Sequence, residues 1–347
     1  NRCATCRTES GIWQGCGLGG GPVAVDVGAK MRGAAYLLSL FICSSPVAAM
    51  EVDPYLAWMH EINDSTEVIN RFINQTARET VEEVNGKPDK YDSCEAVTVR
   101  IFRRNHTSIF TSKRLLRHIH SNPDIDKLGR AHFEEVHGSM YRYVPQLYVS
   151  SLSDTINVNG IYIGDDKIAH FFGFGRRYYK RYLTALGKGK DTETALLEAI
   201  RYGVRNENGL MGKLIDGIFS HADLEANFQG MQMARSFCEG ENPNLVGSAG
   251  AWVWDHDTDF SEFVIPTIDE GFNNSHYIKI YWPGVRRRLK RYCDIENLPF
   301  VMDRLADYKS RDQITLSRTF VAEYLGKKDF NRDLHSFDNS CTDPDRI

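Results

Sequence analysis

Apolar residues recur at spacings of three, four and seven along most of this chain, and that periodicity restricts it to a helical architecture. In residues 54–86, PYLAWMHEINDSTEVINRFINQTARETVEEVNG, the residues Leu56, Met59, Ile62, Val68, Ile69, Phe72 and Ile73 fall on one side of a helix, which Gly86 and Pro88 stop. Comparable patterns run through 93–104, 112–121, 131–150, 166–186, 191–205, 220–238, 284–295, 298–308 and 313–326. Only INVNGIYIG, residues 156–164, alternates as a strand does. The expected fold class is therefore mainly α, a single helical domain with a cleft and at most one short strand or hairpin. Without a repeat period or a Pro/Gly/Ser-rich linker to divide it, residues 50–150 are expected to be an N-terminal helical half. They would pack on a motif-bearing helical core at 151–330, and 331–347 would be a tail unless Cys341 ties it down.

Upstream of this region the pattern changes. Met31 and Arg32 form a short positive start, residues 34–43 are almost all apolar, and Val47-Ala48-Ala49 supplies small residues for cleavage, so 31–49 reads as a secretory signal peptide. The apolar run is shorter than the roughly 20 residues a membrane-spanning helix needs, and no transmembrane segment is expected in the mature chain. Residues 1–30, Gly-rich and placed before that Met, read as a non-native upstream segment, and their Cys3/Cys6 pair lacks the second pair a zinc site requires. Export to the periplasm or the cell exterior follows. Cutting after Ala49 removes four of the 42 basic and two of the 46 acidic residues, which leaves a net charge of −6 and excludes the strongly basic surface of a nucleic-acid binder. The four remaining cysteines, Cys94, Cys238, Cys293 and Cys341, allow two disulfides in an oxidising compartment, by any of three pairings.

Three stretches carry candidate chemistry. In GDDKIAHFFGFGRRYY, residues 164–179, Asp165 or Asp166 is placed to cap a helix whose one face then holds Lys167, His170, Phe171, Phe174 and Tyr178. Lysine and histidine on an apolar face need partners, either as a polar network that fixes the helix or as the lining of a site. In the stretch 207–237, Ser220 and Asp223 resemble a capping box, and Asp223 and Asn227 share a face. His221 and Glu225 stand one turn apart, as two ligands of a metal or as a pair. In WVWDHDTDFSEF, residues 252–263, Asp255, Asp257 and Asp259 alternate as in a calcium loop, but Phe260 stands where that loop needs Gly and Pro266 where it needs Glu. Trp252 and Trp254 beside it are either packed or a stacking platform for a sugar. There is no HExxH and no GxSxG, and HFEEVH, His132 to His137, has the wrong spacing for two ligands on one helix face. The sequence calls for no cofactor and no resident metal.

Carboxyl chemistry remains, and it points to TIDEGFNNSHYIKIYW, residues 267–282. Glu270 lies between Phe263, Val264, Ile265 and Ile268 on one side and Phe272, Tyr277, Tyr281 and Trp282 on the other, company that would keep a carboxyl protonated for general-acid work. Asn273, Asn274 and Ser275 follow as groups that can hold hydroxyls or a water. The bland alternative has Asp269 capping a short helix and Glu270 facing solvent.

The ordered motifs DDKIAHFFGFG, GIFSHADLEANFQG and DFSEFVIPTIDEGFNNSHY resemble those of an exported bacterial helical family with a DKxxHF signature, similar to the lysozymes that predatory bacteria secrete against deacetylated peptidoglycan. The likeness covers roughly residues 156–283, with Ile168 and Ala169 standing where that family has Leu and Gly. It implies Glu270 as general acid and Tyr281 as the accompanying tyrosine. With it, the expected function is a peptidoglycan glycan-strand hydrolase in which Asp223, Asp269 or Tyr281 assists Glu270, while Lys167, His170, Asn227, Asn273 and Trp254 contact the cell-wall polysaccharide. The alternatives are an envelope protein that binds the wall without cutting it, and a metal-dependent hydrolase built on His170, His221, Asp223 and Glu270.

Overall fold

The computed structural model describes residues 51–108, 112–128, 138–142, 144, 152–209, 212–214 and 217–326. The expected signal peptide, upstream segment and tail, and most of the helix expected over 131–150, lie outside them. The first half opens with α1 (Pro54–Trp58), which Asp53 caps by accepting from the Leu56 amide at 3.1 Å. Then come α2 (Thr66–Asn85), α3 (Cys94–Asn105), the short antiparallel pair β1 (His106–Ser108) and β2 (Ser112–Lys113), and α4 (Arg114–Ser121). The periodicity of 54–86 predicts one continuous helix, but the chain leaves helical geometry between Trp58 and Thr66. The cause is tertiary. The Ile62 amide donates to the Tyr162 hydroxyl at 2.8 Å, Asn157 Nδ2 donates to the Ile62 carbonyl at 2.7 Å, and the Ser65 amide donates to the Asn157 carbonyl at 2.9 Å. Backbone groups that would have closed a helical turn are satisfied instead by a neighbouring strand.

That strand belongs to a three-stranded antiparallel sheet of β3 (Lys127–Leu128), β4 (Thr155–Val158) and β5 (Ile161–Gly164). The alternating stretch 156–164 is thus a hairpin. Its two-residue turn is Asn159-Gly160, with φ of 53° and 80°, the left-handed pair that matches the strand twist. The helical core follows: α5 (Asp165–Ala169), a π-helical turn at His170–Phe174, α6 (Gly175–Leu186), α7 (Thr192–Glu207), β6 (Ile218–Phe219) and α8 (His221–Ser236). After these come β7 (Leu245–Val246) paired with β8 (Val253–Trp254), 3-10 turns at Phe260–Phe263 and Pro266–Ile268, and β9 (His276–Tyr277) paired with β6. The described chain closes with α9 (Trp282–Leu289), a 3-10 segment at Lys290–Asn297, α10 (Pro299–Arg311) and α11 (Leu316–Gly326). The fold is mainly α, as the periodicity predicts, with more short strand pairs than the single hairpin expected.

Helix α8 is the axis of the core. Every residue from His221 to Met231 is buried, polar ones included, so this helix has no solvent face over that length. It lies against α6 and the π turn at a distance only glycine permits, since a side chain at Gly230 would run into the Phe171 carbonyl and one at Gly175 into the Gly230 backbone. The Cys94–Cys238 disulfide ties the start of α3 to the end of α8 across 144 residues, joining the two halves expected from sequence. Cys293 is disulfide-bonded as well, with a partner outside the described residues. Replacing both Cys94 and Cys238 by Ala should lower stability by roughly 2–5 kcal/mol. Denaturant unfolding of the double variant measures this, and an unchanged midpoint would show that the bridge adds little to the packed core.

Candidate active site

The hairpin delivers Lys167 to the protein interior. Gly164 ends β5 with Val52 and the Asp166 carboxylate on the space where a Cβ would stand, and the chain turns there into α5. Neither Asp165 nor Asp166 caps that helix. Both sit in its first turn, where the helix dipole favours them, and their carboxylates turn to His120 and Lys167. The Lys167 side chain is 1% exposed, and its ammonium meets four carboxylates carried by four parts of the chain. It contacts Asp166, lies 2.8 Å from Asp223 Oδ1 on α8 and 3.0 Å from Glu270 Oε1 after the second 3-10 turn, and lies 3.8 Å from Glu51 Oε2 ahead of α1. Burial alone would lower the pKa of this lysine, but the charges of Asp166, Asp223, Glu270 and Glu51 outweigh it and raise the pKa well above its ordinary value.

One cation cannot neutralise four buried carboxylates, so protons must make up the difference. Burial, reinforced by Glu270, pushes the Glu51 carboxyl well above its ordinary range, against the pull of Lys167. Burial likewise carries Asp166 to about 8 despite Lys167. For Asp223 burial pushes upward too, but His170, Lys167 and the Ser220 hydroxyl bring it below its ordinary value. His170 is pulled down by burial, with Asp223 partly compensating. Its Nε2 lies 3.2 Å from Asp223 Oδ2 and its Nδ1 3.2 Å from Asn227 Oδ1, and its ring stacks on Phe174. The π-helical turn beginning at His170 adds a residue to this stretch of helix, as such insertions do at many functional sites.

Glu270 completes the cluster. Its Oε1 accepts from Ser220 Oγ at 2.7 Å and Ser275 Oγ at 3.2 Å, and its Oε2 faces the Tyr141 hydroxyl at 3.5 Å. Ser220 is the cap of α8 as its spacing predicts, accepting from the Asp223 amide at 3.1 Å, but its own amide donates to Glu207 and the Asp223 carboxylate turns to Lys167 instead of closing a reciprocal box. The surroundings of Glu270 are therefore not the greasy pocket expected from the flanking residues: aromatic rings from Tyr141 and Tyr277 stand nearby, but its oxygens meet an ammonium and hydroxyls. Two crevices flank it. One is lined by Val52, Lys167 and Asp269 among others and one by Tyr55, Tyr141 and Tyr277; Glu270 lines both, and each has a volume of about 10 Å³, room for about one water.

The remaining candidates are placed differently. Asp269 points the other way and accepts from Trp58 Nε1 at 2.9 Å, the Tyr308 hydroxyl at 2.9 Å and the Gly271 amide at 2.8 Å, a buried anchor between α1 and α10. Asn273 locks its own loop by donating to the Thr267 carbonyl at 2.8 Å. Trp254 is a core residue and no sugar platform, with its ring edge-on to Phe237 and its Nε1 donating to Asn74 at 3.2 Å. Tyr281 stands at the N-terminus of α9 with its ring over Gly217, and the tyrosines that line the crevices with Glu270 are Tyr55, Tyr141, Tyr162 and Tyr277 among the described residues. His221 pairs with His276 at 2.7 Å, and Glu225 bonds Gln229 and Thr315, so neither joins His170 in a metal site. Asp259 caps the first 3-10 turn and Asp257 pairs with Arg78. In the sequence Asp166 reads as a helix cap and Ser220 only as one, and nothing in its segment marks Tyr141. Glu51, ahead of α1, carries no motif.

Among the described residues, the group whose atoms come close enough to share a metal ion is His120, Asp154 and Asp165. The histidine bridges the two acids, Nδ1 at 2.7 Å from Asp154 and Nε2 at 3.0 Å from Asp165. An imidazole engaged by carboxylates at both nitrogens is stabilised as a cation, and the hydrogen bonds to Asp154 and Asp165 raise it to about 9. A protonated ring has no lone pair for a metal. The bridge pins α4 to the first turn of α5 and so steadies the helix that carries Lys167. Compared with protein-family models, curated proteins and solved structures, the chain matches none.

The folded protein holds the His120 proton more tightly than the unfolded chain does. Its contribution to stability is complete below about pH 6.5 and is lost as pH rises through about 9. A plot of Tm against pH should fall across that window for the parent protein, and His120→Gln should flatten it. Parallel curves would show that the bridge adds no linked stability.

Proposed function

We propose that this chain is an exported cell-wall hydrolase that cuts peptidoglycan glycan strands with Glu270 as the proton donor. The observation that carries the reading is the gathering of four buried carboxyl groups, Glu270 among them, around the single ammonium of Lys167. Burial pushes two of the four carboxyls around that ammonium, Glu51 and Asp166, above their ordinary range, and Glu270 is the member that lines both crevices. A glycosidase needs an acid that delivers a proton to the glycosidic oxygen and a carboxylate that stays ionised to stabilise the positive charge on the sugar. Glu270 fills the first role. Asp223, held below its ordinary pKa beside Lys167 and His170, fills the second. Lys167, Ser220 and Ser275 orient the Glu270 carboxyl, and Asn227 orients His170. The disulfide supports an oxidising compartment and so supports export.

A second reading is favoured by the burial of Glu270, which is 4% exposed, and by crevices of only about 10 Å³ each, far below the roughly 300 Å³ at which ligand pockets begin. On that reading the cluster is a polar pin that unites α1, α5, α8 and the Glu270 loop in a wall-binding protein without catalysis. Incubation of the purified protein with sacculi, followed by mass analysis of soluble fragments, separates the two. Hydrolysis predicts fragment release that Glu270→Gln lowers by roughly 100-fold or more, beyond what any fall in Tm from loosening the Lys167 cluster explains. The pin predicts no release from either protein and a large fall in Tm for the variant.

A further inference from the structure

The chain carries 46 acidic residues against 42 basic ones, yet residues 271–293 contain no Asp or Glu and six Lys or Arg. The structure spreads this segment along one border of the candidate site. Tyr277 on β9 and Leu289 on α9 line the crevice beside Glu270. Val285, Leu289 and Tyr292 are buried, and Tyr292 donates to Asp53 at 2.9 Å, which seats the segment firmly. Its other face is turned outward. Lys279 after β9, Arg287 on α9 and Arg291 in the following 3-10 segment are exposed, and Arg291 reaches only the Gly138 carbonyl at 3.4 Å among the contacts described for it. The outward side of these elements thus carries more cations than anions, with Asp294 the exposed acid that follows Arg291 in the 3-10 segment.

Exposed cations attract a polyanion over about 10 Å at 0.1 M salt and farther in dilute salt, and these stand on the elements that also wall the crevice. We infer that the face carrying Lys279, Arg287 and Arg291 holds the carboxylate groups of the peptide stems of the cell wall, an assignment that rests on the cell-wall reading above. A strand whose sugars bear free amines would be repelled by this face. The substrate class is then carboxylate-rich, N-acetylated peptidoglycan, the opposite of what resemblance to a lysozyme of deacetylated wall implies.

The test is sedimentation of the full-length Glu270→Gln protein, which binds without cutting, with native sacculi, with sacculi amidated at their carboxylates by carbodiimide, and with N-deacetylated sacculi. The same protein carrying Lys279→Gln, Arg287→Gln and Arg291→Gln is run beside it. Amidation and the triple substitution should each weaken binding roughly 10-fold or more in low salt, both differences should shrink as salt is added, and deacetylated sacculi should bind more weakly than acetylated ones. Equal binding to native and amidated sacculi, or a triple variant that binds like its parent, overturns the assignment. So does equally tight, charge-dependent binding to phosphatidylglycerol vesicles, which would make the face a lipid surface contact. Charge-dependent sacculus binding by a parent chain that releases no fragments keeps this assignment and removes the hydrolase reading, so the two failures are distinguishable.

Discussion

The ammonium of Lys167 is the constraint on which the centre of this protein depends. A lysine that is 1% exposed is tolerated only where carboxylates replace its water, and here Glu51, Asp166, Asp223 and Glu270 do so from the N-terminal segment, α5, α8 and the loop before β9. Removing any one of these elements would leave buried charge unpaired. The surplus of acid over base in turn forces protons onto Glu51 and Asp166, so one electrostatic fact both joins distant segments and stores exchangeable protons.

The scaffold around this centre serves its geometry. Helix α8 can carry Asp223, Asn227 and Glu225 inside the protein because its neighbours close on it from all sides, and they approach closely only because Gly230 and Gly175 leave room for backbone against backbone. The π-helical turn and the His120 bridge hold α5 from its two ends: one shapes the chain at His170, the other grips Asp165. Farther out, the disulfide closes the same helical layer.

The site was partly legible in advance. Lys167, His170, Asp223, Asn227 and Glu270 stood out because charged or amide groups at helical spacing among apolar residues demand partners, and these five do meet one another. Asp269, Asn273 and Trp254 had equally suggestive neighbours in sequence and were drawn instead into anchoring roles, since their polar atoms found Trp58, Thr267 and Asn74. Adjacent residues such as Asp269 and Glu270 point opposite ways in an irregular turn, so closeness along the chain says nothing about a shared site. Glu51 and Tyr141 were illegible because each reaches Lys167 or Glu270 across more than a hundred residues with no local pattern to announce it.

What the sequence determined by itself is what depends on nearest neighbours along the chain: the helical class, the Asn-Gly hairpin turn, the Ser220 cap and the need of Lys167 for anions. Each follows from spacing, backbone freedom or the cost of burying charge, all local quantities. Tertiary structure alone decided which carboxylates answer Lys167, that the helix expected over 54–86 stops at Trp58 because Tyr162 and Asn157 take its backbone bonds, and that Glu270 lies among hydroxyls instead of hydrocarbon. Those outcomes are settled by which segments pack together, and that choice minimises unpaired polar groups over the whole fold, a sum no single stretch contains.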